Sequence, residues 1–114
     1  MRIKRSVTHR RRRAALRKAT KGYLWRRKST IRLGRVAVLK AGVNAYRDRR
    51  RKKREFRALW QIRINAAARQ HGLSYSRFMA GVKKAKIGLD RKSLADLAMN
   101  EPKVFEAIVK LAKG

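Results

Sequence analysis

The chain has no cysteine, a single proline and only six acidic residues among 114 positions. Without cysteine there is no disulfide framework, no thiolate metal site and no thiol redox chemistry. With Pro102 as the one proline, nothing but glycine interrupts a helix anywhere before residue 102. Long apolar runs are missing too: the longest stretch without a charge is the seven residues from Gln70 to Ser76. A bilayer span needs about 20 apolar residues, so no membrane partner is expected. Aromatic residues number eight (two Trp, three Tyr, three Phe), enough for one small core and little more.

The scarcity of acids also argues against catalysis. Asp48 and Glu55 share a helical face but stand among basic side chains, and their simplest role is intrahelical pairing. Asp90 is placed to cap a helix. His9 and His71 have no carboxylate or second histidine close by in sequence, which leaves a metal site or general base without support. The glycines match no phosphate-binding loop. A non-enzyme with no cofactor and no metal is expected.

What the chain does have is positive charge. Lysine and arginine total 35, for a net charge of +29. Residues 1–58 hold 24 of them against two acids, and residues 59–114 hold 11 against four. The chain therefore divides into a basic arm, 1–58, and a small globular part, 59–114. Arginine outnumbers lysine in the arm by 17 to seven, which favours bidentate phosphate contact and stacking on bases.

The extreme is residues 47–57, with eight cations in eleven positions and no proline or glycine. Read as a helix, this segment has no apolar stripe. Nine like-charge pairs at i,i+3 or i,i+4 oppose it against four attractive pairs made by Asp48 and Glu55. The imbalance costs roughly 1–2.5 kcal/mol. A polyanion is needed to neutralise it.

Along the chain, residues 1–13 read as a basic tail, disordered alone in water. Its arginine-rich, acid-poor character superficially resembles an organelle-targeting peptide, but it lacks a helical apolar face. Ala14 to Lys21 suit a short helix ended by Gly22. From Thr30, a plausible N-cap, no strong stop occurs before Gly72. A helix over residues 30–71 would be about 63 Å long at 1.5 Å per residue, a rod projecting from any core this chain can build. Three short helices follow: one capped by Ser74 and ending near Gly88, one capped by Asp90, and one opened by Pro102. The expected fold is all-α, a long basic N-terminal helical arm projecting from a small C-terminal helical domain. Trp60, Tyr75, Phe78 and Phe105 belong to the apolar set of that domain.

The candidate RNA-binding residues of the arm are Lys4, Arg5, Arg10, Arg11, Arg12, Arg13, Lys18 and Lys21, then Arg26, Arg27, Lys28, Arg32, Arg35 and Lys40. Arg47, Arg49, Arg50, Arg51, Lys53, Arg54 and Arg57 continue the set. Tyr23, Trp25 and Tyr46 lie among these cations, where rings either stack on unpaired bases or pack on a neighbouring helix. A rod with a basic tail suits a crevice between folded RNA helices better than a DNA groove.

Several stretches carry a resemblance to a known family. They are Lys21-Gly22-Tyr23, the run Ala41-Gly-Val-Asn-Ala-Tyr-Arg-Asp-Arg-Arg, Arg57-Ala-Leu-Trp and Arg63-Ile-Asn-Ala-Ala-Ala-Arg. Gly72-Leu-Ser-Tyr-Ser-Arg-Phe, Lys83-Lys84-Ala85 and Asp90-Arg91-Lys92-Ser93-Leu94-Ala95-Asp96-Leu97-Ala98 continue the series. Together they closely resemble bacterial-type large-subunit ribosomal protein twenty, over essentially the whole chain. The resemblance implies a structural component of the large ribosomal subunit that binds large-subunit rRNA directly and acts early in assembly. It implies neighbouring large-subunit proteins as partners, and a location in ribosomes of the cytoplasm or of an organelle. Some members also repress translation of their own mRNA, so a repressor is one alternative function. A DNA-compacting nucleoid protein is another. Carried over, Tyr46 to Arg50 and Lys53 to Arg57 would lie along rRNA. Arg63, Arg69, Ser74, Ser76, Lys83 and Lys84 would form the globular part's RNA-facing side. Leu24-Trp25 departs from the family pattern, which favours smaller or polar residues after Lys-Gly-Tyr. No homo-oligomer is expected.

Overall fold

The computed structural model describes residues 5–114, so the candidate Lys4 lies outside the described residues. Among these residues there are six helices and no strand, as an all-α chain requires. They are α1 (Ser6–Ala19), α2 (Arg26–Ser29), α3 (Ile31–Gln70), α4 (Tyr75–Lys84), α5 (Arg91–Asn100) and α6 (Pro102–Lys113). The chain forms two compact units that divide at Arg50, inside α3.

The long helix matches its expected bounds to one residue at either end. The Thr30 carbonyl accepts from the Gly34 amide at 2.8 Å and opens it. Its end is a Schellman motif: Leu73 N–H donates to the Ala68 carbonyl and Gly72 N–H to the Arg69 carbonyl, both at 3.0 Å. Gly72 takes φ +77°, the left-handed conformation that this motif needs. The same arrangement closes α4, with Ile87 bonding Val82 and Lys86 bonding Lys83. Here the left-handed position is held by Lys86 at φ 53°. The helix therefore stops at Lys84, ahead of the expected end near Gly88.

The first unit contains α1, α2 and the start of α3. Helix α1 begins at Ser6, eight residues before the expected Ala14, so a disordered tail is not what residues 6–13 form. The physical reason is that arginine and alanine are among the better helix formers, whereas each like-charge pair opposes by only about 0.2–0.5 kcal/mol. Among the described residues its helices approach closely at Gly34. Thr20 is buried, with its hydroxyl donating to the Leu16 carbonyl at 3.0 Å. A Cβ on Gly34 would stand 2.7 Å from the Arg27 carbonyl oxygen and 3.3 Å from Thr20 Cγ2, so only glycine lets α3 approach α2 this closely. No hydrophobic residue of this unit is fully buried among the described residues.

The second unit has a conventional core. Ile64, Ala67 and Ala68 of α3, Phe78 and Val82 of α4, Leu94 and Ala95 of α5, and Phe105, Ile108 and Val109 of α6 form one buried cluster. The Phe78 and Phe105 rings lie 5.2 Å apart. Trp60 and Tyr75, expected in the core, are only half-buried at its edge. Leu59 and Ile62 are exposed because they sit off the angular stripe set by Ile64, Ala67 and Ala68. Helix α4 crosses α6 at Gly81, where an added Cβ would overlap the Ala112 carbonyl.

Asp90 caps α5 as expected, its Oδ1 accepting from Ser93 N–H at 2.8 Å. Ser74 occupies the N-cap position of α4 but makes no side-chain cap bond; its hydroxyl faces that of Ser76 at 3.4 Å instead. Hydrogen bonding from the Ser93 backbone and hydroxyl, with the nearby Lys92 charge, lowers the Asp90 pKa. The folded state thus favours ionised Asp90. Its stabilisation is complete above the ordinary carboxylate range near pH 4 and is lost as pH falls through the lower folded value. We expect the urea midpoint to drop on acidification below about pH 4. We expect Asp90→Ala to flatten that acid limb. An unchanged limb in the variant would show that the cap does not contribute.

Candidate nucleic-acid interface

Most of the predicted arm cations are exposed, and the structure assigns them distinct surroundings. Arg5 precedes α1; Arg10, Arg11, Arg12, Arg13 and Lys18 ring α1, and Lys21 follows it. No apolar side of α1 is buried, so its cations point outward around the helix. Arg26, Arg27 and Lys28 form the short α2. Arg32, Arg35 and Lys40 lie on the first turns of α3 and are exposed.

At the end of the first unit, the Arg50 guanidinium stands over the Tyr46 ring, Cζ 3.4 Å from its centre, and donates to the Tyr46 carbonyl at 3.0 Å. The ring and the carbonyl hold the planar guanidinium against the helix surface, with most of its five N–H donors uncommitted to that carbonyl. Arg47 pairs with the adjacent Asp48 at 3.0 Å, a contact that helical spacing did not suggest.

In the second unit, Arg51 meets Glu55 at 2.7 Å, an attractive i,i+4 pair of the segment that the sequence spacing suggested. Lys53, Arg54 and Arg57 are exposed on neighbouring turns of α3, within one sector about 100° wide. Lys52 sits 5.9 Å from the centre of the Phe56 ring.

The globular part's candidates lie on α3 and α4 and at the turn between them. Arg69 is exposed near the end of α3. Ser74 and Ser76 stand at the start of α4, and Lys83 and Lys84 in its last turn. Arg63 is half-buried and lines a cleft of about 480 Å³ with Trp60, Lys92, Asp90 and Asp96, so two carboxylates share its surroundings. Arg91 is directed to the Tyr75 hydroxyl at 3.1 Å, a contact across 16 residues that no local spacing could suggest. Glu106 binds Lys110 at 2.8 Å; that bond first, then the Lys110 charge, lowers its pKa, with His71 adding a smaller attraction. Among the described residues no three His, Cys, Asp or Glu side chains gather as a metal site, and no helix is long and apolar enough to cross a membrane.

Exposed, sequence-spaced cations on helices without apolar stripes are what a polyanion-binding surface requires. The ribosomal protein L20 family model matches residues 2–108 of the 114. The chain belongs to this family. It is therefore a protein of the large ribosomal subunit, of a structural rather than enzymatic class.

One feature of this member is unusual in physical terms. Trp25 sits between α1 and α2 at φ 53°, a backbone region that bulky L-residues rarely adopt, and its side chain is 80% exposed. Neither burial nor local packing compensates for the conformation. Trp25→Gly is expected to stabilise the first unit by about 1 kcal/mol, by relieving this strain net of glycine's extra unfolded-state freedom. A thermal melt followed by far-UV circular dichroism checks it; a lower midpoint would show that the ring contributes packing instead.

Proposed function

We propose that this protein binds large-subunit rRNA directly and promotes early assembly of the subunit. The carrying observation is the segment from Arg47 to Arg57: helical, exposed at every position, with eight cations, two acids and no apolar face. Such a surface binds by displacing counterions from phosphates, and binding weakens steeply with salt. Neutralisation also removes the like-charge penalty within the segment, so RNA binding and helix stability are coupled. Membership of a large-subunit family makes rRNA the polyanion of first choice over DNA.

The absence of fully buried apolar side chains among the described residues of the first unit supports the same reading. A unit in which Thr20 is buried and no apolar side chain is fully buried, among the described residues, needs a partner to define it. In the free protein at low salt, residues 30–57 are expected to lose helicity and to regain it on adding rRNA. NMR secondary shifts measure this, and full helicity without RNA would refute the coupling.

The test of the function is crosslinking of the intact protein in cells, followed by sequencing of the attached nucleic acid. Reads concentrated in a few adjacent helices of large-subunit rRNA are expected. Dispersed chromosomal reads would replace the reading with DNA compaction. A single messenger peak without rRNA would replace it with translational repression.

A further inference from the structure

The first unit contains a cleft of about 710 Å³ between the turn after α1 and the opening turns of α3. Small-molecule sites span about 300–1,000 Å³, so the cleft can admit a planar group the size of a nucleobase with its sugar. The floor is apolar, made by Val36 and its neighbours at helical spacing on α3. The Tyr23 ring, half-buried, forms a wall. Arg27, Arg32 and Lys40 line it as well, and Asn44 stands at the far end along α3. No carboxylate lines the cleft.

We propose that this cleft captures one unpaired nucleotide of RNA. This rests on the rRNA-binding reading and deepens it. A base offers two flat apolar faces and a polar edge, with a phosphate on either side. The apolar floor and the Tyr23 ring suit the faces. The Asn44 amide carries both a donor and an acceptor for the edge. The three cations suit the flanking phosphates, and their unopposed charge disfavours the cationic surface of another basic protein. A paired base cannot enter, because its faces and edge are already occupied within the duplex. The cleft thus selects a bulge or loop, which phosphate contacts along a helix cannot do.

The experiment uses the full-length protein and a transcript of large-subunit rRNA, with affinity measured across a salt series. Ala41 also lines the cleft, and Ala41→Trp fills it without changing charge. It is expected to lower affinity at least tenfold while leaving the slope of affinity against salt unchanged. In a transcript carrying 4-thiouridine, photocrosslinking to the peptide that contains Tyr23 should disappear in this variant. Asn44→Ala, an exposed substitution that adds no bulk, should lower affinity about fivefold and so covers any misfolding of the filled variant. Wild-type affinity and crosslinking in both variants would overturn the cleft while leaving rRNA binding intact. Failure of the wild-type chain to bind the transcript would overturn the rRNA reading and this inference with it.

Discussion

Replacing Lys53, Arg54 and Arg57 together with alanine is expected to lower affinity for large-subunit rRNA by roughly two orders of magnitude at about 0.1 M salt. Each neutralised phosphate contributes about 0.7–0.9 to the slope of log affinity against log salt, so three lost contacts flatten that slope by about two to three. At tenfold dilution from 1 M, the same three contacts account for the affinity loss. The three side chains are exposed and fall within one sector of α3, so one RNA surface can meet them together. Folding should not suffer. The variant removes six of the nine repulsive pairs in the segment and installs the best helix former at each position. A salt titration of binding, beside a denaturation curve, separates the two effects. An unchanged slope would show that this sector of the helix faces away from RNA.

Gly81→Ala should act in the opposite way, on stability before binding. The added Cβ would overlap the Ala112 carbonyl where α4 crosses α6, and the obstructing atom is backbone. Neither helix can yield without moving Phe78, Val82, Phe105 or Val109, all buried in the same core. Overpacking of this kind costs about 3 kcal/mol. For a unit of about this size, total stability is only about 3–10 kcal/mol, so the melting midpoint should fall by about 10–20 °C. Gly42→Ala is the internal comparison: nothing lies within 4 Å of its added Cβ, so no fall in the midpoint is expected. Equal effects of the two substitutions would mean that the α4–α6 crossing can widen freely.

The sequence alone determined the elements whose signals are local. The all-α class, the bounds of α3 from Thr30 to Gly72, the Asp90 cap and Pro102 at the start of α6 all follow from capping, propensity and helical spacing. So did the cationic character of residues 47–57, because charge is a property of composition and a helix without an apolar stripe must expose it. The family resemblance was legible in the same way, from stretches spread over the whole chain and matched by the family across residues 2–108. The start of α1 was not legible, because like-charge repulsion and helix propensity oppose each other in residues 6–13 and local spacing does not rank them.

The tertiary structure decided whatever depends on angle or on distant neighbours. Leu59 and Ile62 look like core residues by composition but point away from the stripe of Ile64, Ala67 and Ala68. Gly34 and Gly81 read as weak points of helices, yet each permits a backbone approach that a single methyl group would block. Asn44, which no basic or aromatic pattern selects, became a site candidate only when Tyr23 and α3 were seen to line one cleft. Periodicity reports which face a residue occupies on its own helix; which faces meet is set by packing between segments far apart in the chain.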